Sequence, residues 1–398
     1  MKIVLFDFWN VINSTGGAEK VLCNMANELA KRGYDVSVIV CDPKKGRPFF
    51  YLADKVKFIN LNGTGKFAKG GLLLRIEREL FRILGVLDKD KMYIKTRFDN
   101  HIKQNLQKLI DEIAPDILIS FDPKSVMVLK YLLKNTLPTI AMLHMEAKYF
   151  FHKDISKVLL DSYNAAKCIQ VLIKNYIAVA KQYCQNVSVV YIPNTVDIKV
   201  EKDNQVDSVY NKIINVGRID GNHKQQLLLI QAFNKLKDKY PKWIIEIWGG
   251  TYTEKQVQYK KQILQYIKEH NLQNRVYLKG ETQDIAGKLS KADIFAFPSK
   301  FEGMPLALME AMSVGLPAIG YKSCASVNEL IVSGYNGFLC NDGTDDFAEK
   351  LKILMSDAGL RNQMGENARA SMQTFAPEKI WDAWEALIKD VAAKHSRI

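Results

Sequence analysis

Residues 298–320 read PSKFEGMPLALMEAMSVGLPAIG, and the organisation of the rest of the chain follows from them. The apolar run Ile294 to Phe297 just before them predicts a strand, and the stretch then turns through a polar loop containing Ser299, Glu302 and Gly303. A helix follows, with Pro305 suited to its first turn because a proline there gives up no hydrogen bond. The amides of a helix's first turn lack intrahelical partners and carry the positive end of its dipole, so this turn predicts an anion site. Two carboxylates flank it, Glu302 in the loop and Glu310 in the helix. Their spacing of just over two helical turns predicts that Glu310 lies near the same side as the helix start and about 10 Å or more along it. One acid could then reach each end of an elongated phosphate ligand.

Around this stretch the chain alternates strands and helices. Apolar runs at Ile3 to Phe6, Val36 to Val40, Ile117 to Ser120, Thr139 to Leu143 and Val187 to Ile192 are separated by helical patterns. The second half repeats the theme with strands at Ile213 to Val216, Trp243 to Trp248, Val276 to Lys279 and up to Phe297. This is the pattern of α/β domains with parallel sheets covered on both faces, whose ligands sit beyond the carboxyl ends of the strands. At 398 residues the chain exceeds what one core holds, and two domains are expected. Pro193 and Asn194 mark the hinge, which gives domains 1–193 and 194–376, with a terminal helix over 377–398 carrying Trp381 and Trp384.

Composition narrows the class further. A hydrophobic content of 47% with 25% charged residues is that of a globular protein. The opening MKIVLFDFW lacks the basic region and cleavage site of a signal peptide and reads as a first buried strand. No apolar run approaches the ~20 residues needed to span a bilayer. Six cysteines are scattered without a close pair, which argues against a zinc site or a disulfide framework and for a reducing cytoplasm. The net charge of +13 is uneven: residues 1–190 hold 29 Lys+Arg against 18 Asp+Glu, and the remainder 27 against 25. A basic first half suits phosphorylated substrates, anionic lipid or nucleic acid, or is simply a soluble basic surface.

Candidate site residues cluster at strand ends. After the first strand, NSTGGAEK places Gly16 and Gly17 at a helix start, where backbone can approach a ligand. The loop lacks a full Gly-x-Gly-x-x-Gly fingerprint, so a dehydrogenase-type dinucleotide fold is not supported. His144 ends the fourth strand, with Glu146 and Lys148 following. After the strand ending at Val216 come Gly217, Arg218 and Lys224, two cations at a strand-to-helix turn that suit a diphosphate. GTGKFAKGG, 63–71, is not a P-loop, because Phe67 stands where Ser or Thr is needed. It leads into a segment in which Arg75, Arg78 and Arg82 share one stripe opposite Leu73, Ile76, Leu80 and Leu84. The apolar side is expected to pack on the core, and the basic side to meet lipid headgroups or an acceptor's diphosphate.

The Glu302 and Glu310 pair within EGMPLALMEAMSVGLP resembles the signature of the retaining GT-B glycosyltransferases of family 4, the glycosyl transferases group 1. The resemblance covers nearly the whole chain and is strongest over 213–340. It implies two Rossmann-like doubly wound domains facing a central cleft, with the first binding acceptor and the second a nucleotide sugar. It also implies that Glu302 contacts donor-sugar hydroxyls and Glu310 the ribose, while Arg218 and Lys224 stabilise the departing diphosphate. His144 would lie near the donor sugar, and Gly16, Gly17, Gly217, Gly303, Met304, Pro305 and Leu306 around the donor. The terminal helix would cross back to the first domain.

The expected function is transfer of a hexose-type sugar, from a UDP-sugar rather than a GDP-sugar, to a lipid-linked or oligosaccharide acceptor in surface polysaccharide synthesis, of lipopolysaccharide or capsule. Cytoplasmic placement at the inner face of the membrane is expected, with peripheral contact to anionic lipid through the first domain and no nucleic-acid partner. No Asp-x-Asp pair is placed to hold a metal, and the cations are expected to do its work without a cofactor. A nucleotide-sugar epimerase of the same fold and a non-catalytic sugar-nucleotide binder are the alternatives.

Overall fold

A computed structural model of the chain describes residues 1–8, 11–62, 76, 79–80, 100–131, 133, 137–197 and 209–395. They form two compact units, one of 1–193 with 381–398 and one of 194–380.

The first unit is built on a seven-stranded sheet in the order β3-β2-β1-β4-β5-β6-β7. Its strands are β1 (Lys2–Asp7), β2 (Asp35–Val40), β3 (Lys57–Asn60), β4 (Ile117–Ser120), β5 (Thr139–Leu143), β6 (Cys168–Val171) and β7 (Ser188–Tyr191). All neighbours pair in parallel, and Ile3 sets the central register against Val36 on one side and Ile117 on the other. Ile3, Val4, Leu5 and Phe6 are fully buried, as expected of a strand covered on both faces. Helix Gly17–Lys31 turns Val21, Leu22, Met25, Ala26 and Leu29 inward at helical spacing and stops before Gly33, whose φ of +91° favours glycine.

The second unit has a six-stranded parallel sheet in the order β10-β9-β8-β11-β12-β13. Its strands are β8 (Asn211–Val216), β9 (Trp243–Trp248), β10 (Val276–Gly280), β11 (Ile294–Phe297), β12 (Ala318–Tyr321) and β13 (Gly337–Cys340). Helix Leu306–Val314 is apolar almost all round and correspondingly buried at Leu308, Met309, Ala311 and Met312. It ends at Gly315, whose carbonyl would lie 2.1 Å from any Cβ at Gly365, so this helix and Ala358–Met372 meet backbone to backbone.

Helix Pro377–His395 closes the chain. From Trp381 onward its residues belong to the first unit, where Arg32 meets Asp382 at 2.7 Å and Glu385 at 2.6 Å, and Trp384 and Ile388 are buried. Among the described residues no helix is long and apolar enough to cross a membrane.

Candidate functional site

In the second sheet the strand order reverses between β8 and β11. That reversal opens a crevice at the carboxyl ends of the two strands, the usual ligand position in such sheets. Two loops occupy it, 217–225 after β8 and 298–305 after β11.

The first loop is pinned by close approach and by buried polar side chains. A Cβ at Gly249, after β9, would lie 2.0 Å from the Gly217 carbonyl oxygen, so the two turns fit only because a glycine stands there. Asp220 accepts from the N–H groups of Asn222 at 2.9 Å and His223 at 3.0 Å, and from Gln256 at 3.1 Å. Burial alone would raise its pKa, but these bonds, with that to the His223 ring, hold it below the usual carboxylate value. Gln226, fully buried, donates to the Arg218 carbonyl at 2.9 Å and accepts from Asp220 N–H at 3.2 Å. Gln225 takes the left-handed conformation, φ +51°, to let the helix start.

This scaffold presents two cations differently. The Arg218 side chain is 49% exposed, with Nε 3.6 Å from Asp220. Lys224 is largely buried; its Nζ lies 2.5 Å from Glu302 Oε1 and 5.1 Å from the centre of the Phe297 ring. The sequence reading assigns Lys224 to a phosphate and Glu302 to a sugar, and the structure pairs them with one another.

The second loop is held from behind. Lys300 N–H donates to the His223 carbonyl at 2.8 Å, joining the two loops. Ser326 Oγ donates to the Glu302 carbonyl at 3.3 Å, and Asn194 Nδ2 to the Met304 carbonyl at 3.1 Å. Met304 and Pro305 are buried, and the Met304 thioether accepts from Asn194 N–H at 3.4 Å. Ser299 is fully buried, and its hydroxyl has no hydrogen-bond partner among the described residues.

One geometric expectation is corrected here. The helix begins at Leu306, with Pro305 as the residue before it. Glu310 therefore lies four residues into the helix, about 6 Å along, not two turns and 10 Å. The residues from Glu302 to Pro305 are loop because Asn194 and Ser326 take their carbonyls, so the pair's spacing in sequence is not a helical spacing. Glu310 is half-buried on the first turns of this helix.

In the first unit the order reverses between β1 and β4. Gly16 precedes helix Gly17–Lys31, and a Cβ there would lie 2.1 Å from Glu19 Oε2, so a side chain would displace that carboxylate. The Glu19 carboxylate is buried and accepts from Ser14 Oγ at 2.8 Å. A carboxylate of the chain itself thus sits at the helix start where the sequence predicts a ligand. Asp122, at the end of β4, accepts from Phe8 N–H at 2.8 Å and Lys124 N–H at 2.8 Å, yet burial raises its pKa. His144 is stacked on Phe121 with ring centroids 5.3 Å apart. Its Nε2 is buried without a hydrogen-bond partner among the described residues, and burial pushes its pKa down to about 4. Burial raises that of Glu146, against the pull of exposed Lys148.

Arg75, Arg78 and Arg82 lie outside the described residues. Of their apolar counterparts, Ile76 and Leu80 are described and are 48% and 54% exposed, so the expected packing on the core is not found for these two. Among the described residues no group of three His, Cys, Asp or Glu is placed to hold a metal. Asp220, Gln226, Gln256, Ser326 and Asp122 were not singled out in the sequence. The one signal for Asp220 and Asp122 is an acid just beyond an apolar strand, where a loop's amides need an acceptor.

Comparison with known proteins agrees with this architecture. Residues 15–200 match the family described as Glycosyltransferase Family 4, and residues 197–371 match Glycosyl transferases group 1. The chain is 26% identical over 395 residues to an uncharacterized glycosyltransferase of Haemophilus influenzae, covering 98% of this chain and 100% of that one. It is 24% identical over 385 residues, 95% of this chain and 96% of the other, to an α-1,4-N-acetyl-D-galactosaminyltransferase of Campylobacter jejuni that acts on a diphosphate-undecaprenol-linked glycan. Among solved structures, Anabaena HepE in complex with UDP and glucose superimposes with a TM-score of 0.73 at 20% identity, covering 97% of this chain and 99% of that one, a likeness of fold.

Proposed function

The chain belongs to the family 4, group 1 glycosyltransferases of the GT-B fold, and from that premise we propose that it is a retaining, metal-independent hexosyltransferase that uses a UDP-sugar. As a member of the family it transfers sugar in glycan synthesis. The proposed acceptor is a lipid-linked or oligosaccharide glycan of a surface polysaccharide, such as lipopolysaccharide or capsule, with the enzyme working in the cytoplasm at an anionic membrane. The diphosphate-undecaprenol glycan named for the Campylobacter relative supports a lipid-linked acceptor. The UDP held by HepE supports the choice of base.

The observation that carries this reading is the Lys224–Glu302 pair beside Arg218 at the reversal between β8 and β11. A donor entering here places its diphosphate against Arg218, Lys224 and the first-turn amides of the Leu306–Val314 helix. Its sugar hydroxyls meet Glu302, its ribose Glu310. As the glycosidic bond breaks, negative charge grows on the leaving phosphate. Cations and amides held in advance stabilise that charge more than the ground state, which lowers the barrier. Lys224 then exchanges part of its contact with Glu302 for the phosphate, and Glu302 turns toward the sugar. The imidazole of His144, kept neutral by burial, is suited to a hydrogen bond with a sugar hydroxyl rather than to carrying charge.

The test is transfer from UDP-glucose, UDP-galactose and their N-acetyl forms to an undecaprenyl-diphosphate-linked glycan, with the anomeric configuration of the product read by NMR and EDTA present throughout. Arg218→Ala is expected to lower kcat about 100-fold or more while the protein stays folded. Product of inverted configuration, dependence on a divalent cation, or an epimerised donor formed without acceptor would each overturn the reading.

A further inference from the structure

The segment after β2 carries a surface that the transfer chemistry does not use. Residues 44–57 hold five cations, Lys44, Lys45, Arg47, Lys55 and Lys57, against one acid, Asp54. Among them stand three consecutive aromatic residues, Phe49, Phe50 and Tyr51. Lys44, Lys45 and Arg47 are exposed, and Tyr51 keeps 77% of its surface in solvent. Phe49 and Phe50 are half-buried and meet edge to face at 5.3 Å, and Lys20 Nζ lies 5.9 Å from the Phe50 ring centre.

The backbone beneath these side chains is tied down at many points. Asn27, on helix Gly17–Lys31, donates to the Tyr51 carbonyl at 2.9 Å and accepts from Ala53 N–H at 2.8 Å. Asn60 Nδ2 donates to the Asp42 and Lys44 carbonyls, both at 3.0 Å. Asp42 accepts from Lys44 N–H at 2.8 Å and from Ile12 N–H at 2.7 Å, and Ile12 bridges Pro48. Leu52 and Val56 are buried as anchors. A platform fixed in this way loses little conformational freedom when something docks on it. The one acid, Asp54, is fully exposed and 3.6 Å from Arg47, too solvated to cancel the patch.

We propose that residues 44–51 are a membrane-docking face for the anionic phospholipid surface from which a lipid-linked acceptor is drawn, an inference that rests on the acceptor proposed above. Lys44, Lys45 and Arg47, with no acid among residues 44–51, select a phosphate-rich surface over a neutral glycan, because lysine and arginine near such a surface are attracted to it one by one. Lys57 is engaged by Asp35 at 3.2 Å and Lys55 by the Ala30 carbonyl. Phenylalanine and tyrosine supply the amphipathic rings that settle at headgroup level. The place fits as well. The Ile12–Pro48 bridge sets this platform beside the Gly16–Gly17 loop, at the carboxyl ends of β1 and β2.

Sedimentation of the full chain with phosphatidylglycerol–phosphatidylcholine vesicles, against pure phosphatidylcholine vesicles, tests the proposal. The parent is expected to bind the anionic vesicles, less so as salt rises. The triple change K44Q/K45Q/R47Q should lower the partition coefficient roughly 100-fold, about fivefold for each cation removed. Tyr51→Ser, at a side chain exposed enough to leave folding intact, should lower it severalfold. Equal binding by parent and triple variant, or no preference for anionic vesicles, overturns the inference. So does a variant that loses affinity for a soluble glycan and not for vesicles. UDP binding, measured on the same proteins by calorimetry, should be unchanged; its absence in the parent would instead refute the UDP-sugar donor proposed above.

Discussion

Lys224 Nζ and Glu302 Oε1 are joined at 2.5 Å across two loops, with side-chain exposures of only 16% and 12%. Removing either partner therefore strands a charge that water reaches poorly. Lys224→Ala and Glu302→Ala are each expected to cost about 2 kcal/mol, and the double variant distinctly less than the sum. Urea unfolding of the four proteins gives the coupling. Strict additivity would mean that the pair contributes nothing to the unliganded site.

Glu302 and Glu310 are expected to separate in kinetics. A ribose contact binds ground state and transition state alike, so Glu310→Gln should raise the donor KM on the order of tenfold and leave kcat nearly unchanged. Glu302 sits against Lys224, the cation proposed to meet the departing phosphate, so Glu302→Gln should act mainly on kcat. Initial rates over a range of donor concentrations decide it; the reverse pattern would exchange the two roles.

Much of the fold is legible in the chain because parallel strands buried on both faces are nearly pure apolar runs. Trp243–Trp248, Ile117–Ser120 and Thr139–Leu143 have the bounds that their sequence predicts. The strands that escape notice break that rule. Cys168–Val171 contains Gln170, and Ala318–Tyr321 contains Gly320, where a Cβ would lie 2.6 Å from Val327. Gly337–Cys340 opens on a glycine crowded against the Ala318 carbonyl. In the site, residue types at set offsets point to Arg218, Lys224, Glu302 and Glu310. Spacing does not tell that Lys224 meets Glu302, 78 positions away. Nor does it tell that Asn194 and Ser326 hold residues 302–305 out of the helix, since those contacts are made only once the sheet has formed.

Gly249 is expected to tolerate no side chain. Its missing Cβ would stand 2.0 Å from the Gly217 carbonyl oxygen, a backbone atom in the loop that carries Arg218. Either the β8 and β9 turns separate or the loop deforms, so Gly249→Ala should cost roughly 1–3 kcal/mol or more and weaken UDP binding. Thermal unfolding and calorimetry on the variant give both numbers. Gly280→Ala makes the contrast, since φ is +76° there but nothing stands within 4 Å of an added Cβ. It should lower stability through backbone strain with a smaller effect on UDP affinity, and equal effects on UDP affinity would show that the Gly217 contact does not shape the site.

His144 ties stability to pH in a direction that its surroundings set. Its Nε2 is buried and burial holds its pKa near 4, whereas an unfolded histidine titrates near ~6.5. Between those values the unfolded chain takes up a proton that the folded one refuses. The contribution of the neutral ring is therefore complete above the unfolded pKa and is lost as pH falls from about 6.5 toward 4, up to about 3 kcal/mol in all. Replacing the ring with one that cannot titrate, His144→Phe, keeps the stack on Phe121 and should flatten the stability profile across that window. If His144 serves the sugar as proposed, the same change should reduce sugar transfer at every pH without shifting the pH optimum, because a group neutral from pH 5 upward does not define one. Urea titrations at several pH values and a pH–rate profile supply the two readouts. An unchanged stability slope in the variant would mean that His144 titrates alike in the folded and the unfolded chain, and that burial does not hold its ring neutral.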